Sequence, residues 1–215
     1  MWAEIATVLV TFIVIIDPVG LVPIFMSLTY QQSPEKRART ALSSILAAAV
    51  ILTLFSLAGN QLLPLLGITL PALQISGGIL LLLLSIEMVF ARQSGLRSTT
   101  EAEKTEAQHK NDVAIFPLAV PLIAGPGAIT SSVMLIERAH GDLTMQAIVI
   151  GLMLGVLLIT YLAFLVASRL MGLLGLTGIN VIGRTLGIIL AALAVQFIIE
   201  GLEGAFPIVL GTHTS

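Results

Sequence analysis

The chain has no cysteine in 215 residues, which excludes disulfides, thiol catalysis and cysteine-based metal centres. Its three histidines, His109, His140 and His213, are scattered through polar segments or the tail, so they read as solvated groups; no metal and no cofactor is expected. Charge is also scarce. Only 10% of residues are Asp, Glu, Lys or Arg, against roughly a quarter in a soluble domain. A water-facing surface for a fold of this size cannot be built from so little charge. The ten basic residues are thinly spread, and no phosphate-binding glycine loop occurs, which argues against nucleic-acid binding and ATP-driven chemistry. The first residues, Met1-Trp-Ala-Glu-Ile5, carry Glu4 in place of a basic leader, so the first apolar run is expected to be retained.

What fills the chain is hydrocarbon. Hydrophobic residues make up 57% and the mean hydropathy is +1.05. Apolar runs bounded by charges fall at 5–30, 41–57, 71–90, 113–136, 145–166 and 179–199, and about 20 such residues cross a bilayer core as helix. The expected fold is therefore all-α, a polytopic membrane protein of six transmembrane helices forming one transmembrane domain over 1–215. The polar segment 91–112 reads as a cytoplasmic linker between two groups of three spans, 1–90 and 113–215. Lys36, Arg37, Arg39, Arg92, Arg97, Lys104, Lys110 and Arg169 fall on the side reached after odd-numbered spans, and Arg138 alone on the other. By the positive-inside rule both termini then face away from the cytoplasm.

Two groups of three spans must lie in opposite orientations if they are homologous, giving a 3+3 inverted repeat. Matching residues recur at a nearly constant offset. Pro18 precedes Pro126 by 108 positions, while Ser76 precedes Thr185, and Gly78 precedes Gly187, by 109. The first match lies in Asp17-Pro-Val-Gly20 and Gly125-Pro-Gly127, which predict broken first and fourth helices, because proline removes a donor and glycine frees the dihedrals. Residues 5–16 extend about 18 Å as helix, which puts Asp17 near the middle of a core of about 30 Å. Broken backbone at that depth is tolerated where protein packs it or a polar cavity receives it, and restarted helices offer positive N-terminal ends to an anion. Asp17, Pro18, Gly20, Gly125, Pro126, Gly127 and Thr130 are accordingly the candidate binding residues of the breaks. The plainer reading is that the prolines kink the spans for packing.

Asp17 is the one carboxylate deep within a span, where a charge costs about 2.5–3.5 kcal/mol. It can hold a substrate ammonium, bind a coupling proton or cation, or cap the restarted helix, and capping is compatible with ligand binding. Arg184 either meets a substrate carboxylate or snorkels to the headgroups. Ser76 and Thr185 supply hydroxyls that serve a ligand or helix packing. Glu87 and Gln196, again 109 apart, stand towards opposite faces. The pairs Gly151/Gly155 and Gly183/Gly187 have the spacing of helix-contact or homo-oligomer motifs.

The segments Asp17-Pro-Val-Gly-Leu-Val-Pro-Ile-Phe25, Phe116-Pro-Leu-Ala-Val-Pro-Leu-Ile-Ala-Gly-Pro-Gly-Ala-Ile129 and Gly183-Arg-Thr-Leu-Gly-Ile-Ile-Leu-Ala-Ala-Leu-Ala-Val-Gln-Phe-Ile-Ile-Glu-Gly201 together resemble the MarC family of bacterial inner-membrane proteins, also described as a neutral amino acid transporter family. A more distant similarity is to the lysine-exporter superfamily. The resemblance extends over nearly the whole chain. It implies a non-enzymatic secondary transporter of small neutral amino acids such as glycine and alanine, in the inner membrane, coupled to a proton or sodium gradient. Leu21 stands where family members often carry Asn, which bears on selectivity. The alternatives are a non-transporting scaffold or assembly protein, or an exporter of another small metabolite. An intramembrane protease would need paired aspartates or histidine ligands within the spans, and the sequence has neither.

Overall fold

The computed structural model describes residues 2–90, 113–139 and 141–206. The segment expected to be a linker, 91–112, lies outside the described residues, and with it Arg92, Arg97, Lys104 and Lys110. Every regular element among the described residues is helical: α1 Trp2–Ile16, α2 Leu21–Leu28, α3 Pro34–Leu65, α4 Leu70–Phe90, α5 Ala114–Ile123, α6 Pro126–Glu137, α7 Leu143–Leu165 and α8 Ala167–Ala205. Glu4–Leu28 (α1 with α2), Pro34–Gly59 within α3, α4, α7 and α8 are each long and apolar enough to cross a membrane. The pair α5 and α6 qualifies together but is bent by 57°. The fold is thus an all-helical membrane protein with five spans, or six when the bent pair counts as one.

Local chemistry sets the helix ends. Ser33 accepts from the Lys36 amide at 3.3 Å with Pro34 in the first turn, so α3 begins before its apolar run. Asp142 accepts from the amides of Thr144 and Met145 at 2.8 and 3.3 Å, which starts α7 in the same way. The sixth apolar run is longer than its hydropathy suggested: α8 has 39 residues, about 58 Å at 1.5 Å per residue. It is bent at Gly175, whose φ of 62° is left-handed and suits a residue without Cβ.

Packing follows small residues. α4 and α8 run antiparallel, with Gly78 facing Ala194 and Ile198, Gly187 facing Met88 and Val89, and Gly201 facing Pro71 and Ile75. A Cβ on Gly78 would stand 2.7 Å from the Ala194 carbonyl oxygen, so close backbone approach requires glycine there. The glycine beside it, Gly77, faces Thr130 of α6; α4 therefore lies between α6 and α8. The first span is the most deeply buried of the five unbent ones. Phe25 of α2 stacks on Phe164 of α7, centroids 4.2 Å apart. Outward faces carry Val50, Leu54, Leu158 and Ile188, all more than half exposed, as lipid contact demands.

Candidate functional site

The first break is short and closed. Asp17 adopts φ 52°, a left-handed conformation that Asp tolerates better than most residues because its side chain bonds locally. The hydrogen-bond ladder scarcely lapses: the Asp17 amide donates to Ile13 at 2.9 Å, and the Leu21 amide to Asp17 at 3.1 Å. The buried carboxylate, 1% exposed, turns back so that Oδ1 accepts from the Gly20 amide at 3.0 Å. A Cβ on Gly20 would collide with that carboxylate. Asp17 therefore performs the capping role, and in this conformation the Gly20 amide is taken by its carboxylate. The helix N-terminus there is occupied from within the chain.

The second break is wider. Before it, α5 is not a regular α-helix: Phe116 and Val120 have extended backbone angles, and the peptide bonds into Pro117 and Pro121 are cis. Leu118 donates to Val113 at 3.4 Å and Ala124 to Ala119 at 2.8 Å, each five residues back, so the coil is broader than an α-helix. Helix α6 then restarts with Gly125 extended (φ −78°, ψ 172°) and Pro126 in its first turn. No side chain caps it. Its first turn leaves the amides of Gly127 and Ala128 without intrahelical acceptors, and Pro126 has no amide to lose.

These residues line a small, partly open cleft, walled by Ile15 of α1, Leu80 and Leu84 of α4, Pro121, Leu122 and Ile123 of α5, and Gly125 to Ala128. The wall is apolar except for backbone. An apolar wall beside an uncapped helix N-terminus favours a negative group at the end of α6.

Among the predicted residues, Gly125, Pro126 and Gly127 line this cleft, whereas Asp17, Pro18 and Gly20 lie in the first break and Ile15 is what α1 contributes to the wall. Thr130 is buried against Gly77 at the contact of α6 with α4. Ser76, Thr185 and Arg184 are exposed and do not line the cleft. The first two hydroxyls bond back to their own helices, Ser76 to Leu73 at 3.1 Å and Thr185 to Val181 at 3.0 Å. Leu80 and Leu84 escaped sequence reasoning because two leucines in a leucine-rich helix carry no distinguishing signal; only their i, i+4 spacing marks a shared face.

An all-helical chain that spans the membrane several times, with one capped interruption and one open break beside a small cleft, defines an integral membrane protein of the broken-helix class. A model of the MarC family, described as "MarC family integral membrane protein", matches residues 2–206, and the chain belongs to that family. It is 39% identical over 193 residues to a UPF0056 membrane protein of Methanocaldococcus jannaschii, covering 89% of this chain and 92% of that one. It is 35% identical over 193 residues to the UPF0056 membrane protein YhcE of Escherichia coli, covering 90% and 89%. With the UPF0056 membrane protein YvbG of Bacillus subtilis the identity is 33% over 208 residues, covering 97% and 98%. No solved structure matches.

Proposed function

We propose that the protein is a secondary transporter of small neutral amino acids such as glycine and alanine. It works by alternating access in a prokaryotic inner membrane, with both termini on the outer side and a proton or sodium gradient as the driving force. The observation that carries this reading is the uncapped start of α6 at a cleft with apolar walls. That combination suits a zwitterion with a small apolar side chain: the carboxylate meets the Gly127 and Ala128 amides, and the walls exclude charged side chains. Asp17, enclosed next to the α1 wall, is the group assigned to coupling.

The 3+3 inverted repeat belongs to this reading, because a site between repeats that rock against each other is the usual geometry of alternating access. It is supported by burial at the 109-residue offset. Gly78, Leu81 and Ser85 are buried on α4, and Gly187, Leu190 and Ala194 on α8.

The test is counterflow in proteoliposomes across an amino acid panel, with and without proton or sodium gradients. Glycine and alanine exchange supports the reading. Purified protein that moves no amino acid overturns it in favour of a scaffold or a transporter of another metabolite.

A further inference from the structure

Buried hydroxyls in this protein usually bond to a carbonyl one turn back. Ser44 bonds to Ala41 at 2.9 Å, Ser85 to Leu82 at 2.7 Å, Ser132 to Ile129 at 2.8 Å and Thr160 to Val156 at 2.9 Å. Among the described residues, two enclosed hydroxyls have no such partner, Ser56 of α3 and Ser131 of α6. Ser131 is 0% exposed. Its neighbour Ser132 has a carbonyl partner in Ile129 whereas Ser131 has none, and an enclosed hydroxyl without a partner is costly.

Its position gives the orphan a meaning. Ser131 follows Gly127 by four residues, so both lie on one face of α6, and helical side chains lean towards the N-terminus. That lean favours the end of the helix that carries the Gly127 and Ala128 amides, although Ser131 itself does not line the cleft. Leu81 packs against this face at Gly127: its Cδ2 is 2.5 Å from where a Gly127 Cβ would stand. The absence of a side chain at Gly127 is what lets Leu81 sit there.

We propose that Ser131 is the inner polar contact of the substrate site. It accepts a hydrogen bond from the ammonium of an amino acid whose carboxylate is held by the Gly127 and Ala128 amides, with Leu81 as the side chain that yields. One helical turn, about 5.4 Å, separates the two attachment points, and the backward lean shortens it. An α-amino acid with two hydrogen bonds of about 2.9 Å bridges that gap. The proposal rests on the transport reading, and it gives the ammonium an acceptor other than Asp17, which serves the Gly20 amide.

The cysteine-free chain makes the test clean. In purified, reconstituted protein, Ser131→Cys is expected to react slowly with a membrane-permeant maleimide, faster with Leu81→Ala added, and several-fold slower with saturating glycine. Ser131→Ala is expected to weaken glycine binding roughly tenfold, with Ser131→Thr restoring it, Ser132→Ala unchanged, and no loss of thermal stability. A merely structural hydroxyl would give the opposite: lost stability and unaltered affinity. Wild-type protein that transports glycine while Ser131→Ala binds it equally well, or while glycine fails to slow the labelling, overturns this assignment alone. Wild-type protein that binds and moves no amino acid overturns the transport reading, and this one with it.

Discussion

The two breaks share prolines, glycines and depth in the sequence, yet they end differently. In the first, a carboxylate stands at the interruption, folds back on the Gly20 amide and keeps α1 and α2 in a single span. In the second, no side chain caps the restarted helix, three prolines disturb the backbone and the halves diverge by 57°. One acidic side chain decides who occupies the helix N-terminus. Where the chain supplies its own anion the break is sealed; where it does not, the end of α6 is left uncapped.

The largest expected effect tests the open break. A Cβ on Gly125 would overlap the Pro121 carbonyl oxygen, which is backbone and cannot swing aside. Gly125→Ala is expected to cost about 2–3 kcal/mol, as overpacking does, and to abolish amino acid exchange by altering the bend. The nearest atoms to a Cβ on Gly20 all belong to the Asp17 side chain, which can shift where backbone cannot, so the effect of Gly20→Ala should be smaller. Comparing the thermal unfolding of the two variants in detergent checks the order, and a larger loss for Gly20→Ala would reverse the account of the breaks.

The sealed break comes next. Asp17→Ala removes the bond to Gly20 and leaves alanine at φ 52°. The lost cap costs about 1 kcal/mol and the left-handed backbone about as much again, giving about 2 kcal/mol in equilibrium unfolding. Asp17→Asn keeps both the acceptor and the tolerance of that conformation, so stability should hold to within about 0.5 kcal/mol. Its effect should appear in transport, as a flattened pH or ion dependence of glycine exchange. An unchanged dependence would remove Asp17 from coupling and leave it a cap.

The sequence disclosed the helical membrane fold because length and hydropathy are local properties that lipid reads directly. It disclosed the positions of both breaks because proline and glycine act on their own residues. It could not separate a sealed break from an open one: that depends on whether Asp17 turns back onto Gly20 or outward, a matter of three residues in space. The irregular coil of α5 was hidden for a similar reason, since Pro117 and Pro121 predict disruption without its form. Ser76 and Thr185, chosen for their shared offset, lie exposed with hydroxyls bonded to their own helices, because sequence spacing fixes the register along a helix but not the face that meets a neighbour. The cleft wall came from Leu80 and Leu84, whose chemistry is that of every other leucine in α4.

The smallest expected effect concerns how the bent segment is held. Arg138 ends α6, and its guanidinium pairs with Glu200 of α8 while lying 5.6 Å from the Phe197 ring centroid; Gln196 donates to the same carboxylate at 3.1 Å. The two charged side chains are 39% and 25% exposed, so solvent and salt screen them, and such pairs contribute about 0–1 kcal/mol. The first span is the most deeply buried of the unbent ones, and α2 is held there by Phe25 stacked on Phe164 and by the bond from Gly20 to Asp17. Arg138→Gln and Glu200→Gln should therefore each lower stability by less than about 1 kcal/mol, with a double-mutant coupling that shrinks as salt rises. Amide hydrogen exchange should quicken at the C-terminal end of α6 and not in α2. Equal quickening in both would mean that the ion pair stabilises the whole bundle and not the open break, and the distinction between the two interruptions would then rest on Asp17 alone.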